Sequence, residues 1–171
     1  VLRDSTYYEG SKYNYSFRLL HDMAIRISLA GGDTAFVYLL DTFFGYAADS
    51  VLAPGVSPCR AEMAEGELLG RFEGFNNEPD MESPYAYIYA GRHDRACEVI
   101  RAGLTQCYGD SRGGLVGNDD SGGMSSWYVW SALGLFPVAG QDVFLIGSPL
   151  FNRAEVQFGH DQAFAIETDG G

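Results

Sequence analysis

The sequence predicts a mainly α chain that ends in β-strands, on three observations. Apolar residues recur at helical spacing in five segments of the first 135 residues. Glycine or proline closes most of those segments within a residue or two. Beyond residue 140 the pattern changes to short apolar runs, two of them partly alternating, as strands with one covered face require.

Across residues 11–30, Tyr13, Phe17, Leu20, Ala24 and Ile27 share one helical face, with His21-Asp22 inside the helix. Gly31-Gly32 stops it, because glycine takes the left-handed conformation of a C-cap without penalty. Asp33 can cap a second helix that carries Phe36, Leu40, Phe43 and Phe44 on one side. Residues 45–67 lose the period and hold Pro54, Gly55 and Pro58, which reads as a long irregular loop. Loops over about 12–15 residues inside a compact domain are more often functional or mobile than idle. Ser83-Pro84 supplies an N-cap and first helical position for a short helix through Tyr89, closed by Gly91. The next helix starts at Asp94, aligns Ala96, Ile100, Leu104 and Cys107, and ends at Gly109. Residues 124–135 make the last helix, stopped near Pro137, and strands are predicted over 143–146, 154–158 and 163–167. Helices joined by short turns pack as antiparallel neighbours. The strands either cover them or pair with strands from elsewhere.

Composition excludes several classes. The 171 residues are 46% hydrophobic and 14% aromatic, enough to bury the core of one ordinary domain and too apolar for a disordered chain. With 11 basic against 23 acidic side chains, the net charge of −12 repels phosphate backbones, and no Lys/Arg cluster interrupts it, so nucleic acid is excluded as a partner. The longest apolar stretch, residues 127–139, contains Ser131, Gly134 and Pro137 and falls short of the ~20 residues a membrane span needs. The chain opens Val1-Leu2-Arg3-Asp4 with no start Met and no signal peptide, as an excised piece or a mature segment would. Cys59, Cys97 and Cys107 form no CxxC motif; they read as small buried apolar residues, with one disulfide as the alternative.

Polar chemistry concentrates in three stretches. In Tyr7-Tyr8-Glu9-Gly10-Ser11-Lys12-Tyr13-Asn14-Tyr15, Glu9 lies among aromatic residues just before a helix. Partial burial there would raise its pKa as a general acid needs; the plainer reading is a Glu in the first helical turn. The run Asn76-Asn77-Glu78-Pro79-Asp80-Met81-Glu82 gathers hard oxygen donors at the mouth of a helix, either as calcium ligands or as a capping loop. The third stretch, Gly117-Asn118-Asp119-Asp120-Ser121-Gly122-Gly123-Met124-Ser125-Ser126-Trp127, flanks acids with glycines that let backbone approach a ligand. It is no EF-hand loop, because position 12 counted from Asn118 is Val129 where a bidentate Glu is required. An Asp here can hold and deprotonate a water, or cap the following helix. Other chemistries lack their parts: His21, His93 and His160 stand far apart, and there is no GxSxG, Walker loop or GxGxxG. His21-Asp22 reads as a satisfied core pair or as a polar pair facing a pocket. Two carboxyls in different environments beside aromatic platforms are the equipment of glycoside hydrolysis.

These motifs, in this order, carry a resemblance. Tyr8-Glu9-Gly10 through Tyr15, Asn77-Glu78-Pro79 before Tyr85, Gly117-Asn118-Asp119-Asp120 through Met124-Ser125-Ser126-Trp127-Tyr128, Ser131-Ala132-Leu133-Gly134-Leu135-Phe136-Pro137 and Ile146-Gly147-Ser148-Pro149-Leu150-Phe151 resemble glycoside hydrolase family 92, whose members are calcium-dependent, inverting exo-α-mannosidases. The resemblance implies that residues 1–140 are part of an (α/α)6-barrel catalytic domain. It makes residues 141–171 a strand segment of a sandwich-like domain. It assigns Glu9 as general acid, Asp120 as general base and Asn118 as the residue that helps orient the water. Tyr13, His21, Asp22, Asp119 and Trp127 become candidate sugar-binding residues, and Asn77 and Glu78 fall in the region that contributes to the calcium site. It also implies a mannose-bearing glycan as substrate, an extracellular or periplasmic setting, and a longer parent chain with an N-terminal β-sandwich that helps wall the pocket. The sequence departs from the family pattern at Tyr13, often Trp, at Asn14, commonly Gln, and at Gly123, frequently Gln. Two alternatives stay open: a metal-independent inverting glycosidase acting on α-glucosides, and a non-catalytic glycan-binding fragment.

Overall fold

The structure is a computed structural model that describes residues 6–8, 12–44, 75 and 77–169, without the side chains of Lys12 and Tyr13. The expectations for Glu9, the Tyr13 side chain, the loop 45–67 and Cys59 lie outside the described residues. The elements run α1 (Lys12–Phe17), α2 (Met23–Leu29), α3 (Asp33–Phe44), two 3-10 turns (Glu78–Asp80 and Ser83–Tyr85), α4 (Ala86–Tyr89), α5 (His93–Gln106), a 3-10 turn (Asp120–Gly122), α6 (Gly123–Ala132) and four strands. These are β1 (Leu135–Pro137), β2 (Phe144–Ile146), β3 (Arg153–Phe158) and β4 (Gln162–Glu167). The chain is mainly α, as the periodicity requires.

The helix expected over residues 11–30 is two helices, and His21-Asp22 lies in the break between them. Leu19 and Asp22 take left-handed backbone conformations, with φ of 66° and 49°. Side chains from elsewhere meet the backbone groups freed there: the Leu19 N–H donates to Glu82 Oε2 at 2.6 Å, and the Arg26 guanidinium donates to the Arg18 carbonyl at 2.6 Å. The register shifts accordingly. Met23 and Ile27 are buried while Ala24, assigned to the apolar face, is exposed. The glycine stop is as expected: Gly31 and Gly32 donate to Ser28 O and Ile27 O in a Schellman arrangement. Asp33 opens the first turn of α3, and the Gly32 carbonyl accepts the first helical N–H, from Phe36.

The α3 face is the expected one, with Phe36, Leu40, Phe43 and Phe44 all in the core. Phe17, Phe43, Phe44 and Tyr87 continue it as a run of ring contacts at 5.0, 5.0 and 5.7 Å between centroids. A second aromatic layer sets Phe75 tilted against Trp127 at 4.6 Å and stacks Trp127 on Tyr108 at 5.8 Å. Gly103 on α5 is what lets Phe75 in, since a Cβ there would fall 2.4 Å from its ring. Each such side chain, fully buried, contributes roughly 1.5–3 kcal/mol.

The last helix is shorter than expected. It ends at Ala132, and Gly134 (φ 73°) turns the chain so that residues 135–137 leave as strand β1 instead of a final helical turn. Only glycine fits there, because a Cβ on Gly134 would come within 2.7 Å of the Pro149 ring. The three expected strands are present within a residue of their predicted ends. With β1 they form two antiparallel ladders, β1 with β2 (Phe136 opposite Leu145) and β3 with β4 (Val156 opposite Phe164). Among the described residues no single helix is long and apolar enough to cross a membrane.

Candidate active site

The three polar stretches converge. The carboxamide of Asn14, on α1, donates to both carboxylate oxygens of Asp80 at 3.0 Å, and both residues are 0–1% exposed. This buried pair joins segments 66 residues apart and fixes α1 on the Glu78–Asp80 turn. That turn in turn lies beside the start of α6: a Cβ on Gly123 would sit in ordinary contact with Glu78, 3.6 Å from its Cγ and 3.9 Å from Oε1. The Trp127 indole N–H donates to the Met81 carbonyl at 2.8 Å, and the Tyr85 hydroxyl meets Ser131 Oγ at 2.6 Å. Burial raises the Tyr85 pKa, so its phenol stays neutral.

The Asp119–Gly122 segment is the other half. Asp119 and Ser121 both have φ of 54°, and Gly122 has 78°. Asp119 accepts from the Ser125 N–H at 2.8 Å and from the Ser125 hydroxyl at 2.7 Å, which holds its carboxyl below the usual range. It therefore serves as the acid that caps α6. Asp120 and Asn118 are exposed on the same turn. Ser125 also lines a cleft of about 410 Å³, together with Tyr108, Asp110, Leu115, Tyr128 and Val129 among others.

The expected sugar-binding residues divide. Trp127 is 2% exposed and is a core residue that clamps the second stretch to the third. His21 is half-buried, and its Nε2 donates to the Ala139 carbonyl at 2.9 Å, so the ring ties the α1–α2 break to the segment after β1. Asp22 is exposed and caps α2 through its carbonyl, which accepts from Ile25 and Arg26. The four non-glycine residues with positive φ among those described are Leu19, Asp22, Asp119 and Ser121. They fall in two of the segments that carry candidate site residues, the kind of place where backbone strain gathers.

For a cation, Glu78 offers a carboxylate and Asn77 an amide oxygen that already accepts the Glu78 N–H at 3.1 Å. Among the described residues no three His, Cys, Asp or Glu side chains gather as a metal site. Calcium takes 6–8 oxygens, so these two donors are a partial set. Cys97 and Cys107 are free, partly buried thiols, and burial pushes Cys107 up to about 11.

Sequence reasoning passed over Asn14, Asp80 as its partner, Glu82 and Ser125. All four stood inside marked stretches, but nothing in the spacing linked Asp80 to Asn14, Glu82 to Leu19 or Ser125 to Asp119.

Carboxylates and amides set at helix ends on a mainly helical, aromatic-rich body are equipment that glycoside hydrolysis can use. Residues 2–170 match the glycosyl hydrolase family 92 catalytic domain. The chain belongs to that family. It is 32% identical over 150 residues to an uncharacterized secreted glycosidase of Arthroderma benhamiae, an alignment covering 88% of this chain and 16% of that one. Among solved structures it is similar to a family GH92 inverting mannosidase of Bacteroides thetaiotaomicron, with a TM-score of 0.74 and 27% identity over 94% of this chain and 22% of the other. A GH92 α-mannosidase of the same organism, solved with mannoimidazole, gives a TM-score of 0.71 and 26% identity over 91% and 20%. The chain thus spans about a fifth of the length of these structures and less of the curated relative.

Proposed function

We propose that this chain is the part of a calcium-dependent, inverting exo-α-mannosidase that carries its acid and base, and that its helices belong to an (α/α)6 barrel in the longer protein. The observation that supports this most is the joining of the Glu78–Asp80 turn to α1 on one side and to the Asp120-bearing segment on the other. It brings together the segments that hold the proposed cation ligands and the proposed base, and pins them to the helix that follows Glu9.

In this reading Asp120, exposed and next to an acid already taken by Ser125, accepts a proton from the attacking water, with Asn118 orienting that water. Glu9 gives a proton to the leaving oxygen. Inversion needs the two carboxyls roughly 6.5–9.5 Å apart, to leave space for a water. Calcium would be held by Glu78 and Asn77 with oxygens from outside the described residues, and when bound it polarises and orients sugar hydroxyls. The substrate is the non-reducing mannose of a glycan, met outside the cell.

The test is hydrolysis of α-1,2- and α-1,3-mannobiose by the full-length protein, with calcium and then with a chelator, followed by NMR to identify the first anomer released. Calcium-dependent release of β-mannose is the expected result. Turnover that survives the chelator would favour the metal-independent alternative, in line with the partial donor set; absence of turnover would favour a glycan-binding role. Asp120→Asn is expected to lower kcat by about 10²–10⁴-fold while sparing the fold.

A further inference from the structure

We infer that Asp119 is a positioning residue whose clamp on Ser125 holds Asp120 in place; the inference rests on the reading of Asp120 as the base and deepens it. The two acids are sequence neighbours in opposite situations. Both oxygens of Asp119 are taken by one residue, through the Ser125 N–H at 2.8 Å and the Ser125 hydroxyl at 2.7 Å, and its carbonyl accepts the Gly122 N–H at 2.8 Å. Asp120, between these anchors, is exposed.

The backbone around Asp120 needs such anchors. Asp119 before it and Ser121 after it both stand at φ 54°, followed by Gly122 at 78°. Left-handed conformations in residues with a Cβ persist only where the surroundings over-determine them. An ordinary helix cap requires none of this, since a Ser or Asp in extended conformation at the N-cap position itself satisfies the first N–H groups. Here the N-cap position is Gly122, which has no side chain, and the capping carboxylate reaches back from Asp119 across the turn that contains Asp120. The same turn leads into Gly123, against which Glu78 packs. The clamp therefore sets where Asp120 stands relative to the Glu78 turn. The Ser125 hydrogen bonds also keep Asp119 ionised, an acceptor locked in place and not a second base.

The experiment measures kcat and KM on α-1,2-mannobiose for the full-length protein and for Asp119→Asn, Ser125→Ala, Ser125→Thr and Asp120→Asn, with thermal midpoints for each. Tyr87→Phe, which removes a hydrogen bond to Asp41 in the core, serves as a stability control. If Asp119 positions the base, Ser125→Ala and Asp119→Asn lower kcat at least about tenfold with KM within about twofold, because small displacements of a reacting group are costly. Ser125→Thr, which keeps the hydroxyl, restores kcat, and Tyr87→Phe lowers the midpoint without lowering kcat. A lowered midpoint with unchanged kcat in Ser125→Ala would reduce the clamp to a helix cap and overturn the inference. A rise in KM alone would overturn it in favour of a sugar-binding Asp119. Wild-type turnover that survives Asp120→Asn would instead overturn the base assignment, and a wild type silent on mannobiose would overturn the mannosidase reading itself.

Discussion

The helical body and the C-terminal hairpin are built on different physics. In the body, Leu40, Phe44, Phe75, Tyr87, Ala96 and Val99 are at 0% exposure, and its buried polar side chains find partners such as Asn14 with Asp80 and Tyr85 with Ser131. In the β3–β4 hairpin no residue reaches the buried class; Ala154, Val156, Phe164 and Ile166 are half-covered, and Phe158 is exposed. Its side-chain links are surface ones, Phe158 stacked on Phe164 and Arg153 paired with Glu155 and Glu167. A two-stranded hairpin is marginal by itself in water, so its stability depends on what covers that face. The lesson concerns placement: every candidate site residue among those described belongs to the body, whose packed core anchors the turns that carry Asp22, Asn118 and Asp120.

Substitutions should grade accordingly. Leu40→Ala, in the densest part of the body, is expected to cost about 2–5 kcal/mol through lost burial and a residual cavity, read as a lower denaturation midpoint of the full-length protein. A cost under about 1 kcal/mol would mean that α3 is loosely packed after all. Asn14→Ala takes an amide away from a fully buried carboxylate, and roughly 1.5–3 kcal/mol should go with it. Because that pair joins two of the three converging segments, activity should fall more than stability alone explains, and parallel losses would make it purely structural.

Glu167→Ala removes the cross-strand partner of Arg153 at the surface and should cost less than about 1 kcal/mol. Hydrogen exchange sharpens the contrast, with β3 and β4 amides expected to exchange well before those of α5; equal protection would show that the hairpin is covered in the full-length protein. The smallest effect is in acid. Hydrogen bonds from Arg92 hold Asp94 down to about 2 from an ordinary 3.8. A depressed carboxyl contributes stability above its unfolded pKa and loses it as pH falls through the folded one, here between about 4 and 2. Both side chains are solvent-exposed, so the contribution is well screened. Arg92→Ala should narrow its gap from wild type over that window, and a gap constant with pH would rule the linkage out.

How much could be read beforehand varied with the range of the interaction. The α3 face was legible because Phe36, Leu40, Phe43 and Phe44 repeat at 3.6-residue spacing, and the Gly31-Gly32 and Gly91 stops because glycine alone takes positive φ freely. The α1–α2 break was not, since the Glu82 carboxylate that accepts the Leu19 N–H arrives from 63 residues away. Nor was the early end of α6, where the freed Ala132 and Gly134 carbonyls accept from Leu150 and Gly147. Within the site, the motifs around Asn77-Glu78 and Asp119-Asp120 were visible as clusters of donors. Which member of each cluster was already spoken for was invisible: Asp119 by Ser125, Asn77 by the Glu78 N–H, the Trp127 indole by Met81.

By itself, then, the sequence determined the class of secondary structure, most helix stops, the strands of the tail and the family, because these depend on local backbone preference and on residues read in order. Only the tertiary structure decided that Asn14 meets Asp80, that Glu78 lies against the start of α6, and that Trp127 belongs to the core and not to the surface. The reason is that a buried polar group must find its partner wherever the folded chain offers one, and that partner's address is a property of packing in space.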